Sequence, residues 1–259
     1  MNLFNLNADD GESTRDRPRG DDASLIPFLS SVNLACGFHG GDPETLRAAI
    51  GLCVKHGVAI GAHPSYRDRE GFGRRPLEVA PALLRAELEE QLTFLRELVR
   101  VEGGRVGHVK AHGALYHRVT GDAAIAGIFL DVTTAILPGA AVVGLAGSQR
   151  FLGEIRSRNV PALGEAFLDR GYRADGTLVP RGQAGDLLTD PAGVAARALG
   201  LAARGELAAE DGTLLAVEAD LHTLHGDEPG AATRAQAVRR ALDAAGVPFA
   251  GARKGASPS

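Results

Sequence analysis

Tryptophan is absent from the chain, methionine occurs once, and cysteine occurs twice, as Cys36 and Cys53. Neither cysteine belongs to a CxxC pair, so no disulfide framework is indicated. An excess of charge of one sign is also missing: 28 Lys and Arg stand against 32 Asp and Glu, a formal net charge of -4. That balance gives no sign of a general affinity for nucleic acid or for anionic membrane surfaces. Aromatic residues make up 5%, which leaves little from which to build a long sugar-stacking platform. No apolar run approaches the roughly 20 residues of a membrane span. The opening Met1-Asn2-Leu3-Phe4-Asn5 reads as a strand and lacks the basic-then-apolar pattern of a signal peptide, so a cytoplasmic location is expected. There is no G-x-x-x-x-G-K-[ST] sequence and no G-x-G-x-x-G opening a helix after a strand. The chain alone is therefore not expected to cradle ATP.

What is present is ordinary for a globular protein: 44% hydrophobic and 23% charged residues in 259, a size that a single α/β barrel commonly fills. Short apolar runs alternate with longer helical patterns, which argues for βα units around a mainly parallel sheet. The expected strands lie near Leu3–Asn7, Val32–Ala35, Val58–Ala62, Val106–Lys110, Ala141–Leu145, Ala162–Phe167 and Leu214–Leu221. Asp42-Pro43 and Asp190-Pro191 each read as an N-cap followed by proline in the first turn. Pro81–Val101 carries Leu84, Leu88, Gln91, Leu92, Leu95 and Val99 on one face and stops before Gly103-Gly104. Asp122 reads as the cap of another helix. No linker or internal repeat divides the chain, so residues 1–250 are expected to form one β/α-barrel domain and residues 251–259 a disordered tail.

The segments that leave the strands are the informative ones. Asn7-Ala8-Asp9-Asp10-Gly11-Glu12 comes after the first and Cys36-Gly37-Phe38-His39-Gly40-Gly41-Asp42 after the second. Gly61-Ala62-His63-Pro64-Ser65, Lys110-Ala111-His112-Gly113 and His225-Gly226-Asp227 end three more. In a parallel barrel all strand C-termini open on one face, where active sites form. Taken singly, each piece has a plain structural reading: a hydrogen-bonded histidine, a helix cap at Asp42, a solvated acidic turn at Asp9, Asp10 and Glu12. Together they are harder to dismiss. His39, His63, His112 and His225 all stand at the C-terminal ends of expected strands beside glycine or alanine, which leaves room for a ligand. His56, His108, His117 and His222 lack that setting and receive no role. Gly71-Phe72-Gly73-Arg74-Arg75 reads equally as a surface turn or as an anion-binding loop. Glu165-Ala166-Phe167-Leu168-Asp169-Arg170 delivers two carboxylates and an arginine to the same end of the barrel.

These segments, in this order, resemble the LamB/YcsF family, the A subunits of 5-oxoprolinase, over nearly the whole chain from Asn5 to about Val247. The family's D-L-N-A-D-L-G-E stands here as Asn5–Glu12, N-I-A-C-G-F-H-A-G-D-P as Asn33–Pro43, and K-P-H-G-A-L-Y as Lys110–Tyr116. G-A-H-P-S at Gly61–Ser65 and G-F-G-R-R at Gly71–Arg75 are unchanged. E-x-F-A-D-R-x-Y is Glu165–Tyr172, and the closing H-G-D is His225–Asp227. Asn5, Asp10, Ala111 and Thr223 depart from the pattern, and Asn5 weakens any role for an acid at its position.

The resemblance implies an irregular seven-stranded barrel similar to that of carbohydrate deacetylases. It implies ATP-dependent hydrolysis of the cyclic amide 5-oxo-L-proline to L-glutamate. ATP would be used by subunits B and C, which phosphorylate the lactam, and this chain would open the ring. Asp9, Glu12, His39, His63, Lys110 and His112 are then the candidate catalytic residues. Arg74, Asp169, Arg170 and His225 are the candidates for binding substrate or phosphate. By analogy with the deacetylases, a divalent metal would sit on Asp9, His63 and His112. Two alternatives stand beside this reading: a metal-dependent amide or carbohydrate deacetylase, and a noncatalytic binding subunit.

Overall fold

A computed structural model describes residues 3–250. The expected tail at 251–259 lies outside the described residues. In chain order the elements begin with β1 (Leu6–Asp10), α1 (Asp22–Leu25), a 3-10 turn at Ile26–Phe28, β2 (Ser31–Ala35), α2 (Pro43–His56) and β3 (Ala59–His63). They continue with α3 (Pro81–Val101), β4 (Val106–Val109), α4 (Gly113–Gly121), α5 (Ala123–Ile136), β5 (Ala141–Leu145), α6 (Gln149–Ser157) and β6 (Ala162–Phe167). The last elements are α7 (Pro191–Arg204), β7 (Glu206–Ala208), β8 (Leu214–Ala216), β9 (Leu221–His225) and α8 (Ala231–Ala244).

Seven strands, in the order β1-β2-β3-β4-β5-β6-β9, close into a barrel in which every pairing is parallel. The expected seven-stranded β/α barrel is thus the fold. Two strands differ from expectation by more than a residue. The first strand runs from Leu6 to Asp10, later than Leu3–Asn7, because Asp9 and Asp10 are buried strand residues. The last barrel strand is Leu221–His225. The apolar Leu214-Leu215-Ala216 instead pairs antiparallel with β7 in a separate two-stranded sheet. An apolar run marks a strand, but a hairpin beside the barrel satisfies that pattern as well as a barrel strand does.

The helix punctuation acts as the sequence indicates. The Asp42 carboxylate accepts from the Glu44 and Thr45 backbone N–H groups and completes a capping box with Thr45, while Gly57 ends α2 in the left-handed conformation. Asp122 and Asp190 cap α5 and α7 in the same way. The α3 stripe buries Leu84, Leu88, Leu92, Leu95 and Val99, each contributing about 1.5–3 kcal/mol relative to exposure. Gln91, on the same face, accepts from Ser65 N and donates to Ser65 O, both at 2.9 Å. A buried helix side chain therefore fixes the loop that leaves β3 just after His63. Among the described residues, no single helix is long and apolar enough to cross a membrane.

Candidate active site

The barrel interior is polar, and its polarity rises toward the C-terminal ends of the strands. Low in the barrel, Asn7 donates to Ser31 at 2.7 Å and Asn33 donates to Asn7 at 2.6 Å. Asn33 also donates to Asp9 Oδ1 at 2.7 Å and accepts from His108 Nε2 at 2.8 Å. His108 fits only because residue 61 is glycine: a Cβ there would lie 2.1 Å from His108 Nε2. The next layer is charged. Lys110 Nζ lies 2.8 Å from Asp9 Oδ1 and 2.5 Å from Glu165 Oε2, and the Tyr116 hydroxyl donates to Glu165 Oε1 at 3.0 Å. Burial alone would raise the Asp9 pKa, but His63 and Lys110 hold it well below the usual carboxylate range. Burial would neutralise Lys110, yet Asp9 and Glu165 keep it charged.

Above this layer stand three histidines from three different segments. His63 Nδ1 is 2.9 Å from the Lys110 carbonyl and His112 Nε2 is 2.8 Å from the Phe72 carbonyl. A carbonyl only accepts, so both of these nitrogens carry the proton and donate. The remaining nitrogens, His63 Nε2 and His112 Nδ1, are bare and face each other at 3.0 Å. Two lone pairs at that distance require a cation between them, either a proton or a metal ion. Phe72 has a positive φ of 55°, an uncommon conformation for a bulky residue that turns its carbonyl onto His112. His39 stacks on His112 with centroids 3.7 Å apart, and its Nε2 meets Glu12 Oε1 at 3.2 Å. Burial pushes His39 and His112 well down, with neighbouring histidines adding to the effect, so both are neutral at neutral pH.

Glu12 completes the cluster. Its Oε1 is 3.5 Å from His112 Nδ1, and its buried Oε2 has no partner among the described residues. Burial, with Asp227 and Asp9 nearby, pushes its carboxyl well up. Donor atoms of Glu12, His63 and His112 all lie within 4.8 Å of one another. One carboxylate and two neutral imidazoles, each imidazole fixed by a carbonyl behind it, fit a zinc-like divalent ion. The gathered donor set contains Glu12 where the sequence pointed to Asp9. Asp9 stands beside it, Oδ2 being 3.5 Å from His63 Nε2, but its oxygens already receive Lys110 and Asn33.

On β9, the strand beside β1, His225 stands next to Asp9 in register. Asp169 accepts from the His225 backbone N–H at 2.8 Å and from His225 Nδ1 at 3.0 Å. Burial would raise the Asp169 pKa, but His225 holds it below the usual range. Both Asp169 oxygens therefore position His225, whose ring also stacks on Phe167. His225, Asp9, Glu12, His63 and His112 line one cavity of about 330 Å³, together with Arg74, Tyr116, Phe167, Arg170 and Arg181. A larger groove of about 740 Å³ beside Gly20, Phe28 and Gly230 holds no such cluster.

All ten residues singled out from the sequence thus come to this end of the barrel, though not to equal positions. Lys110 is balanced by two carboxylates. Of the two arginines in the Gly71–Arg75 turn, Arg74 faces the cavity and pairs with Asp227 at 3.1 Å, while Arg75 pairs with Asp68. His108, Tyr116, Asp227 and Arg181 have no site role in the sequence reading, which brings Glu165 to this barrel end only as part of the Glu165–Arg170 segment. A signal for some of them was present: Asn5, Asn7 and Asp9, like His108 and Lys110, place polar residues at alternate strand positions, marking an inward polar face.

The LamB/YcsF family model matches residues 4–257. The 5-oxoprolinase A subunit of Methylococcus capsulatus is 43% identical over 95% of this chain and 95% of its own. Its counterpart from Streptomyces avermitilis is 45% identical over 95% of this chain and 98% of its own. The crystal structure of a lactam utilization protein from Thermus thermophilus superposes with a TM-score of 0.89 at 40% identity, covering 95% of this chain and 98% of that one.

Proposed function

The chain belongs to the LamB/YcsF family, and on that premise we propose that it is the ring-opening component of an ATP-dependent 5-oxoprolinase. Its substrate is 5-oxo-L-proline after activation, and the product is L-glutamate. A five-membered lactam has a resonance-stabilised amide and recloses easily, so opening it with water needs coupling to ATP. No nucleotide-cradling sequence is present in this chain. Phosphorylation of the lactam oxygen is therefore assigned to partner subunits B and C of a cytoplasmic assembly. The single observation that carries the proposal is the placement of two opposed sets of groups on one small cavity. His63 and His112, after β3 and β4, face it from one side and the Asp169-held His225, on β9, from the other, with Glu12 after the intervening β1.

In the reaction, water adds to C5 of the activated ring and the C5–N bond breaks as nitrogen takes a proton. A second water then hydrolyses the acyl phosphate to phosphate and L-glutamate. Asp9, kept ionised by Lys110, orients the attacking water and takes its proton as the new C–O bond forms. His225 gives its Nε2 proton to the ring nitrogen, and Asp169 stabilises the imidazolium that precedes this transfer. Arg74, which lines the cavity and pairs with Asp227, meets the phosphoryl group. A divalent ion on Glu12, His63 and His112 would supply Lewis-acid polarisation at the reacting carbon's oxygen. His39 supports Glu12 from behind.

The test is 5-oxoproline turnover with ATP by the purified chain, alone and with the partner subunits, with an acetylated-sugar assay run in parallel. Little or no turnover alone and full turnover in the assembly is the expected result. ATP hydrolysis tied to glutamate release by the chain alone would contradict the division of labour. Deacetylation of the sugar would favour the deacetylase alternative.

A further inference from the structure

Four cationic side chains, Arg74, Lys110, Arg170 and Arg181, line the cavity, and they are not equivalent. Lys110 is matched by Asp9 and Glu165, and Arg74 by Asp227. Arg170 is only 6% exposed and makes no ion pair among the described residues. Its Nε donates to the Asp186 carbonyl at 3.0 Å and its Nη2 to the Val179 carbonyl at 2.6 Å, which ties the Leu178–Arg181 strap over the cavity. Arg181 meets Glu228 at 3.3 Å through Nη1, but its Nη2 is buried and donates to nothing among the described residues. Burial pushes Arg170 down to about 10, and the nearby Arg181 charge acts in the same direction. On this wall one guanidinium has no carboxylate and the other keeps an idle buried N–H, so both retain capacity for an anion.

We propose that Arg170 and Arg181 form a subsite for the substrate's carboxylate, so that the chain selects lactams carrying a carboxylate on the carbon beside the ring nitrogen. The inference rests on the lactam-opening reading of the same cavity. The barrel order decides which anion binds there. Arg170 follows β6, whose neighbour β9 carries His225, whereas His63 and His112 lie at the ends of β3 and β4 on the other side of the closed sheet. In 5-oxoproline the reacting carbonyl carbon and the carboxylate-bearing carbon flank the nitrogen. With the nitrogen at His225 and the carbonyl toward Glu12, His63 and His112, the carboxylate points to the Arg170 wall. Arg74 lies beside Gly113 and His112 with its Cγ 3.5 Å from where a Gly113 Cβ would stand, but its guanidinium reaches Asp227 at 3.1 Å and is already matched there. Arg181 is then a substrate-binding residue, and Arg170 both binds and holds the strap.

The experiment is calorimetric titration of the full chain with 5-oxo-L-proline, 2-pyrrolidinone and inorganic phosphate, in wild type, Arg181→Gln and Arg181→Lys. Thermal unfolding reports whether each variant is folded. Wild type should bind 5-oxo-L-proline more tightly than 2-pyrrolidinone. Arg181→Gln should weaken 5-oxo-L-proline about 10- to 100-fold, as expected for a lost charged hydrogen bond. Arg181→Lys should recover part of that loss, and 2-pyrrolidinone should bind all three alike. Equal binding of the two lactams by wild type, or an unchanged affinity in folded Arg181→Gln, would overturn the proposal. A loss confined to inorganic phosphate would also overturn it, by assigning the wall to the phosphoryl group. Arg181-dependent binding of 5-oxo-L-proline in an assembly that opens no lactam would leave the subsite standing and remove the functional reading.

Discussion

Glu12, His63 and His112 are the residues on which the metal question turns. His63 and His112 each give a proton to a backbone carbonyl and keep a bare nitrogen for the other. Glu12 adds a carboxyl oxygen that nothing else among the described residues engages. If that arrangement holds a divalent ion, Glu12→Gln should lower zinc affinity by at least about tenfold in a chelator-competition titration, with a smaller effect from Asp9→Asn. Unchanged zinc affinity in folded Glu12→Gln would exclude the triad. At this scale the sequence is informative where chemistry coincides with strand ends. His39, His63, His112 and His225 are legible because each stands after a strand beside a small residue. Asp169 is legible as a polar residue at the same barrel end, but not as the partner of His225. That bond spans 56 residues and depends on how β6 and β9 pair. Arg181, legible as the end of the Leu178-Val179-Pro180-Arg181 motif, takes no role from the sequence for a similar reason, since its idle nitrogen is defined only by the surrounding wall.

The elements that carry these residues are positioned by a few close approaches. At Gly61, β3 and β4 shift register, and His108 occupies the space that a side chain would take. Gly61→Ala should therefore destabilise the fold by about 1–3 kcal/mol, the usual cost of overpacking a dense interior, with urea unfolding as the measurement. A midpoint equal to wild type would mean that β4 moves aside freely. Gly73 acts in a similar way, because its φ of +65° and its approach to His112 and His39 suit only glycine. The helices are legible because capping is local: Asp42, Asp122 and Asp190 bond to backbone two or three residues away. The strand at 214–216 departs from expectation because hydropathy does not distinguish a barrel strand from a hairpin edge. The start of β1 departs because its inward face is polar, against the usual apolar reading of a parallel strand.

For the molecule as a whole, buried neutral histidines make stability depend on pH. Burial pushes His108 and His222 down to about 4, from about 6.5 in an exposed chain. Between those values the unfolded chain binds protons that the folded chain does not, so stability is full above about pH 6.5 and falls as pH drops toward 4. His222 stacks on Phe4 away from the active-site end, with centroids 3.7 Å apart. His222→Phe should keep that stacking and remove on the order of 3 kcal/mol from the decline; a denaturation series across this range that matches wild type would contradict the assignment. The barrel class is legible from strand and helix alternation, and the active end from the residues just beyond the strands. Chain separation hides the pairings: Lys110 reaches Asp9 across 101 residues and His108 reaches Asn33 across 75. The central claim is that this cavity opens the activated ring, and single-turnover analysis of the assembled enzyme with His112→Ala tests it most directly. The account predicts that ADP still forms while L-glutamate release slows by about 100-fold or more, in a protein that unfolds near the wild-type temperature. Glutamate release at the wild-type rate per folded molecule would contradict it.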